Sequence, residues 1–440
     1  MMDRARILRC VSLTLLLGGA IGVPFTVTAD AETLQDAWQL ALARDKALAA
    51  ANAEVEGARA GEQAARGARW PSVDANAGYT RLNASPAFDI ATPGLTFRSG
   101  PIFKADEYVS GSVQMKLPIY AGGQISAGID AAHDAVTGAS EDQQATAAAL
   151  KLDVAEAYVG VLRARLSLRA AESSVTSLAA HVDDVQQMVD RELVPRSDVL
   201  AARVALANAE QVRVRGANSV EIAQAIYNRR LGEPLQRSPD LDDRVPADAS
   251  LAADPVDVLI KRAMDSRSEM KGLAARAASL AAQAEVESGK RLPQIALTGG
   301  YTHLDNQILD RQDVSMVGVG VTWNLFDGGQ ARHRAAALGS ASRATSNRLE
   351  DLRSLIELEV RQAWLDVQEA QARVKASSEA VAQAEENLRI SRELYGAALG
   401  TNTQVLDAVT LQISALNNRD NAVLDESLSM LRLAHAVGAL

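Results

Sequence analysis

The second half of the chain spaces its apolar and small residues three and four positions apart over a long stretch without proline. No proline occurs from Gln294 to Leu440, and the seam consists of Leu349, Leu352, Ile356, Val360, Ala363, Val367, Ala370, Val374, Ser377, Val381, Ala384 and Leu388. An average spacing of about 3.5 residues is that of helices packed as a left-handed coiled coil. Because several seam residues are alanine, neighbouring helices can approach closely.

The corresponding stretch of the first half, from about Gln124 to Arg191, predicts one helix of roughly 70 residues, on the order of 100 Å long. Four shorter helices are predicted at roughly Leu34 to Arg69, Asp198 to Arg230, Val256 to Arg291 and Gln404 to Val437. Two of these laid end to end match one long helix in length. The pattern therefore predicts one long helix antiparallel to two stacked shorter ones, twice.

Four segments between the helices alternate apolar and polar residues, which predicts β-strands at about 71–81, 107–120, 293–303 and 314–326. A half-buried sheet packed on a core would show the same alternation. About ten residues is, however, the length of a tilted strand that crosses a bilayer. Aromatic residues near the strand ends also suit membrane interfaces; they are Tyr79, Tyr301 and Trp323.

A transmembrane sheet of this size needs further copies of the chain, because four strands cannot close a barrel and lipid does not tolerate an unpaired edge. The connections at 81–107 and 303–313 are polar or contain proline and glycine, and we expect them outside the cell. At the opposite end the strands enter the long helices through glycine pairs, which permit a sharp bend. These glycines are Gly122, Gly123, Gly328 and Gly329.

The two halves of the chain repeat one another. Pro71 recurs 222 residues later as Pro293, and Gly123 recurs 206 residues later as Gly329. Offsets that hold over long stretches indicate duplication of one structural unit. We expect three units in order, a first repeat at 32–232, a polar linker at 233–255 and a second repeat at 256–440.

Residues 1–31 have the features of a signal peptide. Arginines at the start precede an apolar run from Val11 to Val23, and Ala29-Asp30-Ala31 supplies small residues for cleavage. A retained anchor would share the apolar run but not the cleavage motif, so we expect export across a bacterial inner membrane. No apolar run of 18 or more residues follows Glu32, and no transmembrane helix is predicted.

Composition narrows the chemistry. The chain has 45 basic and 55 acidic residues, and this formal net charge of −10 argues against nucleic acid and favours the passage of cations. Cys10, the only cysteine, lies within the signal peptide. The five histidines lack metal-ligand spacing, and no phosphate-binding loop or hydrolase motif occurs. We therefore expect no enzymatic activity, no metal and no cofactor.

Helix breaks at 193–198 and 399–403 lie at the helix ends far from the strands. Pro195 interrupts the first long helix, and we expect Ser197 or Asp198 to cap the next one. These breaks are either hairpin turns alone or the place where a partner docks. The docking interpretation involves Leu193, Val194, Pro195, Arg196, Ser197, Leu399, Gly400, Thr401 and Asn402.

Together these features resemble the TolC-like outer-membrane efflux channel family over essentially the whole chain after the signal peptide. The resemblance rests on the order, spacing and duplication of several segments. They are Leu34 to Leu42, the strand entries at Pro71 and Pro293, the turns at 117–123 and 323–329, and the tip helices at Asp198-Val199-Leu200 and Val405-Leu406-Asp407-Ala408.

The resemblance implies a mainly α fold with a transmembrane β-barrel portion. Three chains of a homotrimer would contribute four strands each to one 12-stranded barrel in the cell outer membrane lipid, with a long coiled-coil barrel of helices in the periplasm. Such a duct serves a tripartite efflux pump or a type I secretion system. Its partners are a periplasmic adaptor (membrane fusion protein) and an inner-membrane pump of the RND or ABC type. The alternative is a periplasmic coiled-coil adaptor or scaffold without a membrane barrel.

The resemblance also implies that the tip helices close the duct, through a tyrosine on the second long helix and acidic residues just beyond the turn. Tyr395 and Asp407 match these positions, Gln404 occupies the other acidic position, and Asp198 is a further candidate for the gate. Glu192 and Ala398 stand where glycine is usual in the tip turns.

Overall fold

The computed structural model describes residues 31–86, 89–98, 101–103, 106–246, 250–306 and 310–440. The predicted signal peptide lies outside these residues except for Ala31. None of the helices in the described ranges is long and apolar enough to cross a membrane.

Each half of the chain contains one helix of 67 residues, shorter helices and two long strands. The first half is α1 (Leu34–Arg44), α2 (Lys46–Gly67), β1 (Ser72–Arg81), β2 (Asp89–Thr92), β3 (Leu95–Arg98), β4 (Glu107–Tyr120), α3 (Gln124–Asp190) and α4 (Arg196–Leu231). The second half is α5 (Ser250–Ala253), α6 (Val256–Ser266), α7 (Ser268–Gly289), β5 (Gln294–Leu304), β6 (Asp313–Thr322), α8 (Gln330–Gly396) and α9 (Asn402–Ala436).

Equivalent helices of the two halves have nearly equal lengths. Helices α1 and α6 have 11 residues each, α2 and α7 have 22, and α3 and α8 have 67. The short β2–β3 hairpin lies in the longer connection of the first half, between β1 and β4. This connection accounts for the difference between the offsets of 222 and 206 residues.

The helices predicted as continuous at Leu34 to Arg69 and Val256 to Arg291 are each broken by one extended residue. At the first break Asp45 has ψ 131° and caps α2, accepting a hydrogen bond of 2.8 Å from the amide of Leu48. At the second break the side chain of Arg267 is buried and donates to Glu269, Glu359 and the carbonyl oxygen of Ala436. Tertiary contacts therefore fix the second break, where the sequence has neither proline nor glycine.

Helix α3 lies at the centre of the chain's packing. In the half near the strands it runs antiparallel to α7, where Gly138 approaches Gly272 closely and Ser279 Oγ donates to the carbonyl oxygen of Ala131 at 2.8 Å. In the half near the tips it runs antiparallel to α4, with Gly216 against Leu168. Small residues at these contacts bring the helix backbones together, as the alanine-rich pattern predicts.

Buried apolar side chains form three clusters along the helices. One near the middle joins α1, α3, α4 and α9, and another at the middle joins α5, α6, α8 and α9. The third, which we call the tip cluster, joins α3, α4, α8 and α9 beside the helix breaks. All three clusters contain residues from more than one antiparallel pair, so the long helices are held together at the middle and at the tip.

The described part of the segment at 233–255 packs on the middle of the helices instead of hanging free as a linker. Leu241 is buried, and Tyr158 Oη donates to the carbonyl oxygens of Glu32 (2.9 Å) and Asp242 (2.7 Å). The carboxylate of Glu32 accepts from Tyr227 Oη at 2.7 Å and from Arg237 Nη2 at 2.5 Å. Burial raises the pKa of both tyrosines, so their hydroxyls remain donors at neutral pH.

Helices α3 and α8 end in the same turn, each with a residue other than glycine in the left-handed region. Glu192 has φ 61° and Ala398 has φ 59°. At the second turn the amide of Ala398 donates to the Tyr395 carbonyl oxygen (2.9 Å) and the amide of Leu399 donates to that of Leu394 (2.8 Å). This hydrogen-bond pattern satisfies the last carbonyls of a helix and normally places glycine at the left-handed position.

We predict that Ala398→Gly stabilises the tip turn. Removing the methyl group relieves a left-handed conformation that costs roughly 1 kcal/mol in an L-residue, so the free energy of local opening should rise by about that amount. Amide hydrogen exchange at Ala398 and Leu399 measures this change. Ala397 has φ −85°, and Ala397→Gly should instead lower the opening energy; equal effects of the two changes would contradict the prediction.

Candidate functional site

The four long strands form one antiparallel sheet in the order β1-β4-β5-β6. Val113 lies between Ala75 of β1 and Tyr301 of β5, and Leu297 lies opposite Val319 of β6. Because directly paired residues in antiparallel strands project to the same side, this register aligns the apolar residues of all four strands on one face. The polar residues, such as Ser112 and Thr298, share the other face.

The apolar face of the sheet is uncovered within the chain. Val317 is 84% exposed, Val319 and Val321 are 65% exposed and Val73 is 63% exposed. No helix of the chain lies on these side chains, although an apolar face of this size requires a cover in water. The outer edges of β1 and β6 also lack a partner strand within the described residues.

Strand β6 ends at Thr322, four residues before the end of the predicted range 314–326. The chain leaves the sheet there because the indole N–H of Trp323 donates to the carbonyl oxygen of Arg291, at 3.1 Å, instead of extending the strand. Leu325 and Phe326 beyond it are 77% and 87% exposed. In β4 the pairing shifts between Pro118 and Tyr120, where proline has no N–H to donate.

All four glycines at the strand-to-helix turns adopt left-handed backbone angles, with φ between 60° and 82°. A Cβ on Gly122 would lie 2.5 Å from the carbonyl oxygen of Gly289, so only glycine fits that turn. In the second half the carboxylate of Asp327 accepts from the amides of Gly329 and Ala331, both at 2.8 Å. These backbone hydrogen bonds hold the pKa of Asp327 below its usual range.

At the tip, three side-chain hydrogen bonds tie the second repeat to the first. Tyr395 Oη donates to the Asp198 carboxylate at 3.2 Å, and Asn402 Nδ2 donates to the Asp198 carbonyl oxygen at 3.0 Å. Asn402 Oδ1 lies 2.7 Å from His181 Nε2. Since that amide oxygen only accepts, the imidazole donates from Nε2. His181 and Asn402 are both buried, so this link is shielded from solvent.

The hydroxyl of Tyr395 is buried in the tip cluster. Burial, and secondly the nearby charge of Asp198, raise the pKa of Tyr395 to about 12. The phenol therefore stays protonated at neutral pH and can donate to Asp198. The ring of His181 lies 5.7 Å from that of Tyr395, which places both partners of Asp198 in one packed group.

The remaining predicted gate residues occupy different surroundings. Asp407 is exposed on α9, and among the described residues no hydrogen bond or ion pair of its side chain occurs. The side chain of Gln404 instead accepts from the amide of Thr401 at 2.8 Å, while the Thr401 hydroxyl accepts from the amide of Gln404. This capping box at the start of α9 uses the position where the resemblance implies an acidic residue.

The residues predicted to dock a partner divide into exposed and buried groups. Leu193 and Leu399 are 58% and 78% exposed, and Arg196, Ser197 and Thr401 are also exposed. Val194 packs against the tip cluster, whereas Asn402 is buried in the hydrogen-bond network. Pro195 is the N-cap of α4, so the predicted cap at Ser197 or Asp198 is wrong; the helix already includes Arg196. Gly400 donates its amide to the carbonyl oxygen of Leu394.

His181 is a tip residue that the sequence pattern did not single out. It lies 221 positions before its partner Asn402, and a lone histidine on a helix has no local signal for such a contact. Within the described ranges, no group of three or more His, Cys, Asp or Glu side chains is placed to hold a metal ion.

Comparison with known proteins places this geometry in a family. The family model described as outer membrane efflux protein matches residues 37–232 and 259–439. The chain is 24% identical over 440 residues to outer membrane protein TolC of Vibrio cholerae serotype O1, covering 97% of this chain and 95% of that protein.

Solved structures share the fold. The outer membrane protein VceC of Vibrio cholerae superposes with a TM-score of 0.78 at 18% identity, covering 92% of this chain and 96% of that one. The open state of the MtrE outer membrane channel of Neisseria gonorrhoeae gives a TM-score of 0.72 at 16% identity, covering 92% and 88%. Since the family model matches most of the chain, including both strand pairs and both long helices, this protein belongs to the outer membrane efflux protein family.

Proposed function

We propose that the protein is the outer-membrane exit duct of a tripartite efflux pump or type I secretion system, assembled as a homotrimer. In this proposal three sheets close one 12-stranded barrel, and the helices form a tunnel in the periplasm. Substrates pass through without chemistry from an inner-membrane pump of the RND or ABC type and a periplasmic adaptor. Membership of a family of outer-membrane efflux channels supports this role.

The single observation that carries the proposal is the sheet. It has a continuous exposed apolar face, a polar face opposite it, and two open edges. Lipid would cover the apolar face, and β1 and β6 of adjacent copies would satisfy each other's backbone groups. A periplasmic coiled-coil adaptor or scaffold would need the helices but would have no use for such a sheet.

Fractionation tests the assembly directly. The protein should appear in the outer-membrane fraction and, after detergent extraction, migrate as a trimer that becomes monomeric on heating. A soluble periplasmic monomer would instead support the adaptor or scaffold.

We also propose that the tip forms the gate. The hydrogen bonds from Tyr395 and Asn402 to Asp198 would hold the two helical hairpins of a chain together in the closed duct. Asp407 is exposed on α9, so three copies around a threefold axis would bring like charges close together. Such a ring would attract cations to the narrow end of the duct.

The first prediction concerns the orientation of the sheet. Val113 is in the middle of β4 with a paired strand on each side. Val113→Lys would place a charge in lipid and should cost about 2 to 4 kcal/mol, whereas Ser112→Lys on the polar face should be mild. The yield of heat-modifiable trimers from urea-denatured protein refolded into bilayers measures the difference. Equal assembly of the two variants would show that the orientation is wrong.

A second prediction concerns the exposed leucines of the tips. Replacing Leu193 and Leu399 together with Asp should abolish export, because charge at these positions would prevent apolar contact with the adaptor. Trimers should remain in the outer membrane, since neither side chain is buried. Export of a fluorescent pump substrate and trimer abundance are measured in the same cells. Loss of the trimers would support turns that serve folding alone.

The third prediction concerns the gate in planar bilayers. The wild type should show low, cation-selective conductance that multivalent cations block from the periplasmic side. Asp407→Ala should relieve this block because it removes the proposed ring of charge. Tyr395→Phe is the matched control: losing its hydrogen bond to Asp198 should raise conductance while the cation block persists. Unchanged block and selectivity in Asp407→Ala would exclude Asp407 from the gate.

A further inference from the structure

Two clusters of basic and aromatic residues lie where the strands give way to the helices. The first consists of Arg66, Arg69 and Trp70, which with Ile129 line a cavity of about 600 Å³. It lies at the end of α2, directly before β1. Val73, which begins the exposed apolar face of β1, follows within three residues of Trp70.

The second cluster lies at the equivalent place in the second repeat. Lys290, Arg291 and Trp323 line a cavity of about 550 Å³ at the start of β5 and the end of β6. Arg69 and Arg291 each stand two residues before the proline that precedes a strand. The duplication has therefore kept an arginine at this boundary in both halves.

The aromatic residues of both clusters are held at the surface. Trp70 is 75% exposed and Trp323 is 57% exposed, although both are large apolar side chains. The indole N–H of Trp323 is satisfied by the carbonyl oxygen of Arg291, which leaves the ring outside the helix packing. Tryptophan favours the boundary between hydrocarbon and head groups because its ring is amphipathic.

The two arginines are available for an anion. Among the described residues neither Arg69 nor Arg291 forms an ion pair, whereas Arg66 is bound to Glu62 at 2.6 Å and Lys290 to Glu287 at 2.5 Å. Two acidic residues, Glu285 and Asp327, also line the second cavity. The carboxylate of Asp327 is already bound by two backbone amides. A free guanidinium presents donors in the geometry that phosphate oxygens accept.

We propose that these clusters bind anionic phospholipid head groups of the periplasmic leaflet. The phosphate would contact Arg69 or Arg291, and the acyl chains would lie along the apolar face of the sheet. This inference rests on the proposed function, since it requires the sheet to lie in the membrane. A lipid fits better than a second copy of the chain, because β5 is paired on both sides and pairing at the sheet edges leaves Arg291 uncovered.

Native mass spectrometry of the assembled mature protein tests the proposal. Palmitoyl-oleoyl phosphatidylglycerol and the zwitterionic phosphatidylcholine with the same chains are titrated separately. The wild type should bind the anionic lipid more tightly. The double variant Arg69→Gln with Arg291→Gln should lose about fivefold of this preference for each arginine removed. The preference of Arg213→Gln with Arg215→Gln, an equal charge change on exposed positions of α4, should stay at the wild-type value.

Three outcomes would overturn the proposal. One is a wild type that does not distinguish the two lipids, and another is an equal loss of preference in both double variants. The third is loss of the Arg69 and Arg291 variant's trimers in either lipid, which would place these arginines in contacts between copies. Bilayer conductance separates this inference from the proposed function. Wild-type trimers that conduct but ignore lipid charge refute the lipid sites alone, whereas a wild type without trimers or conductance refutes the duct.

Discussion

The packing of α3 against helices from both repeats is the interaction on which the rest of the structure depends. Near the strands α3 contacts α2 of its own repeat and α7 of the other, and near the tips it contacts α4 and α9. Close approach at Gly138 and Gly272 brings backbones together over a length that few large side chains span. Because one rigid helix contacts both repeats from end to end, it fixes the sheet at one end relative to the tip at the other.

The two ends of the molecule differ in what the chain leaves uncovered. At the sheet, valines at the centre of the strands are exposed and the outer strand edges are free, so the chain buries its apolar surface only with lipid and further copies. At the tip, most apolar side chains are packed within one chain, and the leucines of the turns are the exceptions. Assembly is therefore a structural need at the sheet, while the tip can change its contacts without exposing a core.

The duplication has diverged where the halves have separate tasks. Asp327 binds two backbone amides at the start of α8, whereas Ala121 occupies the equivalent turn before α3. At the tip Asn402 reaches across to His181 and Asp198, and its equivalent in the first half is the exposed Arg196. The bonds between the hairpins thus run in one direction, from second-repeat donors to an acceptor in the first. A duplicated scaffold with unequal ends can keep its walls alike while its tip moves asymmetrically.

The sequence by itself determined the long helices, the four amphipathic strands and the glycine turns, because each depends on a local period or on a backbone angle that glycine alone tolerates. It did not determine the break at Arg267, since the partners of that side chain at Glu359 and Ala436 are far away along the chain. Nor did it reveal the link between His181 and Asn402 or the docking of the segment around Leu241 on the helices. The tertiary structure decided these features, because polar side chains in a helical protein take partners from helices that the chain reaches only after folding.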